Sequence, residues 1–144
     1  MIAVALEQIY GKGAEGIYFK LSDFRGVKSY TSRRHDIDRE FLTHKRAFEI
    51  APQIICKPFK IVKLDYFGKI YEGLLMRHLE GPTLLKAVNS DLITFKHGQT
   101  ILKEVESKLL SSGIMHLDLF PRNVVLSSQG PKIIDLDPKF IKFL

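Results

Sequence analysis

The sequence predicts an α+β fold, with a strand-rich first half that carries one helix and a second half that is helical before it closes on a hairpin. Three observations carry this. Apolar and aromatic residues flank a glycine cluster between Leu6 and Leu21, the pattern of two strands joined by a glycine turn. Two stretches, Arg33 to Ile50 and Asp91 to Ser112, repeat apolar residues at helical spacing. Near the end, Val124-Val125-Leu126 and Ile133-Ile134 bracket Ser127-Ser128-Gln129-Gly130-Pro131, which is dense in turn formers. At 144 residues and 45% hydrophobic content, the chain has material for a single domain, residues 1–144, expected as one compact unit with two small lobes.

Gly11, Gly13 and Gly16 sit between Ile9-Tyr10 and Tyr18-Phe19. Glycine lets backbone N–H groups approach phosphate oxygens with no Cβ in the way. The same spacing serves a dinucleotide turn or an ordinary loop. A dinucleotide turn needs a helix directly after the glycines, whereas Ile17-Tyr18-Phe19 reads as a strand. Gly26-Val27-Lys28-Ser29-Tyr30 alternates like a half-buried strand with Lys28 at its centre. In the first helix Ile37, Phe41, Leu42, His44, Ala47 and Phe48 form one broad face. Asp36 and Asp38 suit the positive end of its dipole, and Pro52 lies beyond its end. Ile54-Ile55-Cys56, Phe59 to Leu64 and Lys69 to Met76 read as strands, with Gly68 turning the chain between the last two. The second helix has apolar residues at Ile101, Leu102, Val105, Leu109 and Leu110 at helical spacing and stops at Ser111-Ser112-Gly113.

Lys and Arg outnumber Asp and Glu by 22 to 16, a formal charge of +6, which suits a polyanionic ligand. A nucleoside triphosphate, nucleic acid or an acidic partner protein would each qualify, but no aromatic-basic motif supports nucleic acid. The lone Cys56 excludes an intrachain disulfide and a thiolate metal cluster, so it reads as a small core residue in a reducing, cytoplasmic setting. Met1 to Leu6 is too short for a signal peptide, and no apolar run reaches membrane-spanning length. A membrane partner is therefore not expected. His35, His44, His78 and His97 show no metal-ligand spacing and read as surface or core histidines.

The most informative stretch is Ile114-Met115-His116-Leu117-Asp118-Leu119-Phe120-Pro121-Arg122-Asn123, followed by Lys132-Ile133-Ile134-Asp135. Asp118 and Asn123 alone are ordinary turn residues. Asp135 ends an apolar strand, where a carboxylate needs a partner or a metal to offset desolvation. The hairpin would hold Asn123 and Asp135 at its open end, and Pro121 bends the loop that carries Asp118. Magnesium takes hard oxygen ligands and completes its shell with phosphate and water. Asn123 and Asp135 are the candidate metal ligands, and Asp118 the carboxylate that orients a hydroxyl and accepts its proton. Asp137 reads as an exposed turn residue beside Pro138. His116 reads as a support for the loop, with general base as the alternative.

His116-Leu117-Asp118 to Asn123 resembles the catalytic loop H-R-D-x-x-x-x-N of the protein-kinase-like superfamily, and Asp135 resembles its D-F-G aspartate. The likeness extends to the glycine loop near the N-terminus. It implies a two-lobed fold, a β-rich N-lobe (1–76) with one helix, a hinge (77–83) and a reduced helical C-lobe (84–144). It implies ATP and Mg2+ as cofactors, with Gly11, Gly13 and Gly16 over the phosphates. By order in the chain Lys28 matches the strand lysine of V-A-I-K, with Lys20 as competitor. Glu40 matches the helix glutamate that pairs with that lysine, with Asp36 as alternative. Arg77 and Leu79 are implied as main-chain contacts to adenine, with Met76 in the pocket wall.

The pattern also departs from the family. Its arginine after His is Leu117, its lysine two residues after the base is Phe120, and D-F-G is Asp135-Leu136-Asp137. Arg122 or Lys132 remain to stabilise phosphate. Nine residues follow Asp135, so an activation segment and substrate-presenting helices are not expected. The chain is similar to reduced bacterial or phage kinases, including RIO-like and effector types, which would place an effector or phage product in a host cytoplasm. The expected activity is transfer of the ATP γ-phosphate to a Ser/Thr or other hydroxyl of a protein or of the chain itself. The alternatives are a pseudokinase that binds nucleotide and a partner, or a kinase of sugars or amino-alcohols. A protein substrate or partner is expected, and self-pairing through the reduced lobe is a further expectation.

Overall fold

The computed structural model describes residues 1–12, 16–30 and 36–144. The elements run β1 (Ile2–Val4), β2 (Ile9–Lys12), β3 (Gly16–Lys20), β4 (Arg25–Tyr30), α1 (Ile37–Ile50), β5 (Pro58–Tyr66), β6 (Lys69–Arg77), α2 (Leu84–Asn89), α3 (Phe95–Ser111), β7 (Ile114–His116), β8 (Val124–Ser127), β9 (Gly130–Ile133) and β10 (Ile141–Phe143). Short 3-10 turns occupy Leu6–Gln8, Pro121–Asn123 and Pro138–Phe140. The architecture is α+β. The chain divides into two compact units, Met1–Leu42 with Lys57–His78 and Thr43–Cys56 with Leu79–Leu144, so the boundary falls inside α1. No helix among the described residues is long and apolar enough to cross a membrane.

The first unit holds a six-stranded sheet in the order β1-β5-β6-β4-β3-β2. β1 runs parallel to β5 and the other pairs are antiparallel. Alternation sorts its faces. Val27 lies opposite Phe19 and Leu75, and with Val4 and Leu64 they form an apolar cluster in which no member is more than 8% exposed. The other face carries Tyr18, Lys28 and Leu74 in one cross-strand row, with Gly26 and Met76 paired beside it. The β5–β6 hairpin turns on Phe67 and Gly68, both at positive φ (51° and 79°), the mirror-image turn whose twist suits a hairpin. Asp65 Oδ1 accepts from the Gly68 N–H at 2.9 Å.

The core of the second unit gathers Ala47, Ala51, Ile54, Ile55, Val105, Leu109, Ile114, Ile133, Leu136 and Ile141. Full burial of a Leu or Ile side chain contributes about 1.5–3 kcal/mol, so this cluster is what fixes β7 and β9 in place. The Thr94 hydroxyl caps α3 by accepting from the His97 N–H at 3.0 Å. Gly113, at φ +89°, ends that helix and turns the chain into β7.

Three boundaries differ from the sequence pattern. The described part of the first helix begins at Ile37, where Asp36 Oδ1 accepts from the Arg39 N–H at 3.1 Å; residues 33–35 lie outside the described residues. The second helix starts at Phe95 rather than Asp91, because Asp91 sits at φ 58°, outside the helical region. Ile54-Ile55-Cys56 is not a strand. Ile55 makes a single parallel bridge with Ile133, while Cys56 N–H donates to Ile133 O at 3.0 Å. Cys56 is 2% exposed, in keeping with a core role.

Candidate functional site

The site in the second unit is built outward from β7. This strand pairs antiparallel with β10, Ile141 opposite His116 and Phe143 opposite Ile114, and Leu117 N–H donates to Phe140 O at 2.8 Å. The chain is thus held on both sides of His116. Alternation turns Ile114 and His116 inward, at 0% and 7% exposure. His116 Nδ1 accepts from the Asp118 N–H at 3.1 Å. An accepting nitrogen carries no proton, so the proton sits on Nε2, which donates to the Asp135 carbonyl at 2.9 Å. Both ring nitrogens are spent on main-chain groups. His116 is a support, and its general-base reading has no nitrogen left to act with.

Asn123 closes the arrangement. Pro121 opens the 3-10 turn Pro121–Asn123, whose fixed φ suits that position. Asn123 is 5% exposed, and its Nδ2 donates to the Asp118 carbonyl at 3.0 Å. That bond assigns the amide's orientation and leaves Oδ1 as its atom for a cation. β8 and β9 pair from Val124 opposite Ile133, and Ile134 N–H donates to Asn123 O at 2.9 Å. Asp118, Asn123 and Asp135 are therefore tied to one another by His116 and the open end of the hairpin. The Asp135 carboxylate accepts from the Asp137 N–H at 3.2 Å through Oδ1.

Arg122 Nη2 lies 4.0 Å from Asp118 Oδ2, with its guanidinium 4.6 Å over the Phe120 ring. Lys132 instead donates from Nζ to Gln53 O, so of the two candidate phosphate cations only Arg122 stands beside Asp118. Asp137 departs from the exposed turn residue expected. It is 7% exposed, because Oδ1 caps the 3-10 turn Pro138–Phe140 by accepting from Lys139 N–H at 3.1 Å. Among the described residues no three or more His, Cys, Asp or Glu side chains gather as a metal cage. A carboxylate and a carboxamide oxygen form the donor set magnesium uses when phosphate supplies the rest.

The other candidates are placed as follows. Gly11 lies in β2 and Gly16 opens β3, while Gly13 lies outside the described residues. A Cβ on Gly16 would meet Ser29 O at 1.7 Å, so this glycine answers to strand packing. One on Gly11 would meet nothing within 4 Å. Lys28 is half-buried at the centre of β4, its ammonium 5.2 Å from the Tyr30 ring centre. Lys20, the competitor, stands 3.6 Å from Asp23 Oδ1. Glu40 is 2% exposed on α1, in the same unit as Lys28, whereas Asp36 is exposed and caps that helix. Met76 is 3% exposed at the end of β6. Arg77 N–H is committed to Lys57 O at 2.8 Å, which limits any main-chain contact from Arg77 to its carbonyl. Leu79 is half-buried and belongs to the second unit. His78 is more than a background histidine: it is 3% exposed and bonded to Tyr18, a pairing that no spacing in the sequence announces.

No protein-family model matches the chain, and no curated protein matches it. Solved structures do. The chain is similar to WbdD, determined in co-crystal with the kinase inhibitor LY294002, with a TM-score of 0.59 and 17% identity over 92% of this chain. It spans 32% of that protein's length. At such identity the likeness is one of fold, and the fold is kinase-like.

Proposed function

We propose that the chain is a phosphotransferase that uses Mg·ATP and moves the γ-phosphate to a hydroxyl of a protein, Ser or Thr among them, or of itself. The observation that carries this reading is the tethering of Asp118 to Asp135 through the two nitrogens of His116, with Asn123 tied to Asp118 by its own side-chain amide. A kinase-like fold, with a structural neighbour that binds a kinase inhibitor, supports it.

In this reading Asp118 orients the acceptor hydroxyl and takes its proton as the new O–P bond forms and the bond from the γ-phosphorus to the β–γ bridging oxygen breaks. Asn123 Oδ1 and the Asp135 carboxylate hold magnesium, which neutralises phosphate charge. Arg122, beside Asp118, stabilises charge on the transferred group. Lys28, paired with Glu40, and the backbone of Gly11, Gly13 and Gly16 bind the triphosphate, with Met76, Arg77 and Leu79 toward the base. The setting is cytoplasmic.

Incubation with Mg·ATP followed by intact-mass measurement tests the reading. Added phosphate or released ADP is expected, and Asp118→Ala should lower both by about 10²–10⁴-fold while nucleotide binding persists. Equal turnover by Asp118→Ala would overturn it.

A further inference from the structure

The turn that joins β3 to β4 is fixed by short-range hydrogen bonds. Ser22 Oγ accepts from the Phe24 N–H at 3.2 Å and the Arg25 N–H at 3.1 Å, and Arg25 O accepts from the Leu21 and Ser22 N–H groups at 3.0 and 3.1 Å. The Phe24 carbonyl accepts from the His78 N–H at 2.9 Å, which ties the turn to the end of β6. A turn held this way presents its side chains in place, and Phe24 is 61% exposed on it.

Sheet pairing then gathers cations that are far apart in sequence. Arg25 stands directly opposite Arg77, and the Arg77 N–H donates to Lys57 O at 2.8 Å, so neighbouring segments carry Arg25, Arg77 and Lys57 at one level. All of these are exposed. Like charges opposite each other repel, and here each lies against a ring. The Arg25 guanidinium is 4.2 Å and the Lys57 ammonium 5.6 Å from the centre of the Phe59 ring, and the Arg77 guanidinium is 5.0 Å from that of Phe24. Phe59 is half-buried against the apolar cluster of the sheet, so it is a fixed post on which Arg25 and Lys57 converge. A guanidinium steadied on a ring keeps its planar fork of N–H donors for an anion and loses less rotamer freedom when one binds. The acid of the turn, Asp23, stands 3.6 Å from Lys20.

We propose that Arg25 and Lys57, drawn together on Phe59, form a docking site for a phosphorylated serine or threonine of a partner protein, with Phe24 as the apolar contact for the residue beside it. Arg77 has a further interaction of its own, and the charge of the site rests on the other two cations. The site uses neither nucleotide nor metal, so it stands or falls independently of the transfer reaction. Its span selects the ligand. Arg25 and Lys57 are two strand spacings apart, about 10 Å between main chains, and both reach one ring, which suits a single phosphate dianion with charge-assisted bonds on either side. A nucleic-acid strand calls for a longer track of cations and bare rings for its bases, whereas these rings carry cations. A membrane would meet the 85% exposed Asp23 side chain next to Phe24. A free phosphate ion would have no use for Phe24.

The test uses the full chain without ATP and a short dye-labelled peptide of alanine and leucine with a central phosphoserine, read by anisotropy. The same peptide with serine, inorganic phosphate, a short single-stranded RNA and phosphatidylserine vesicles are titrated beside it. The phosphorylated peptide is expected to bind about tenfold or more tighter than the serine form, by a margin that shrinks as salt rises. Arg25→Ala with Lys57→Ala should weaken it by about 10- to 150-fold and leave the serine form unchanged. Arg25→Gln with Lys57→Gln, which keeps aliphatic packing on Phe59, should do the same. Phe24→Ala should weaken the phosphopeptide by about threefold or more and leave the affinity of inorganic phosphate as it was. Equal binding of the two peptides, or undiminished phosphopeptide binding by both folded double variants, would overturn the site. RNA or vesicles held more tightly than the phosphopeptide and released by the same substitutions, or phosphopeptide binding untouched by Phe24→Ala, would overturn the assignment to a phosphorylated protein.

Discussion

His116 donates from Nε2 to the main-chain carbonyl of Asp135, 2.9 Å away. The same ring accepts from the Asp118 N–H at 3.1 Å, so one side chain sets the separation of the two backbone segments that bear the carboxylates. Position is the larger part of what a phosphoryl-transfer site supplies. Replacement by alanine removes both bonds and leaves a carbonyl without its donor. His116→Ala should lower unfolding free energy by about 1–3 kcal/mol in urea denaturation, and transfer measured under folded conditions should fall with it.

In the proposed reading Asp118 is the group that accepts the proton. Asp118→Ala should slow transfer by about 10²–10⁴-fold with Mg·ATP affinity retained, the separation expected of a group that acts in the chemical step. Rates and titrations on the same preparation check it.

Arg122 and Lys132 are separated by what they touch. Arg122 is 60% exposed and stands 4.0 Å from the Asp118 carboxylate, a pair worth about 1 kcal/mol or less to stability at such exposure. Lys132 is bonded to Gln53 O. Arg122→Ala should slow transfer with little change in unfolding, and Lys132→Ala should leave the transfer rate at the wild-type value.

Two glycines should respond oppositely to alanine. Gly81 sits at φ +137° and its Cβ would fall 2.1 Å from Leu126 O, where Leu126 N–H in turn donates to Pro82 O at 2.9 Å. Gly81→Ala should cost more than about 1 kcal/mol by denaturant titration. Gly11 has open space around it, so Gly11→Ala should change stability by about 0.5 kcal/mol or less and weaken triphosphate binding instead.

What the sequence disclosed followed from local signals. The turn formers Ser127 to Pro131 fixed the β8–β9 hairpin, and with it the neighbourhood of Asn123 and Asp135. The support role of His116 was legible from its place among apolar residues. Pairing of β7 with β10 was not, because strands of three residues each carry too little alternation to announce partners distant in sequence. Asp137 looked like a surface turn because Pro138 follows it, yet the cap it forms draws it to 7% exposure. The closeness of Tyr18 to Gly26, where a Cβ would fall 1.8 Å from the Tyr18 hydroxyl, was hidden as well. It depends on which residues lie diagonally across β3 and β4, and register is a property of the paired sheet.

The most direct test of the account is the metal dependence of nucleotide binding in the double variant Asn123→Ala, Asp135→Ala. Titration of ATP with and without Mg2+ should show metal-strengthened binding in wild type and the same affinity with or without metal in the variant. An undiminished magnesium enhancement in a folded double variant would contradict the claim that Asn123 and Asp135 hold the ion beside Asp118.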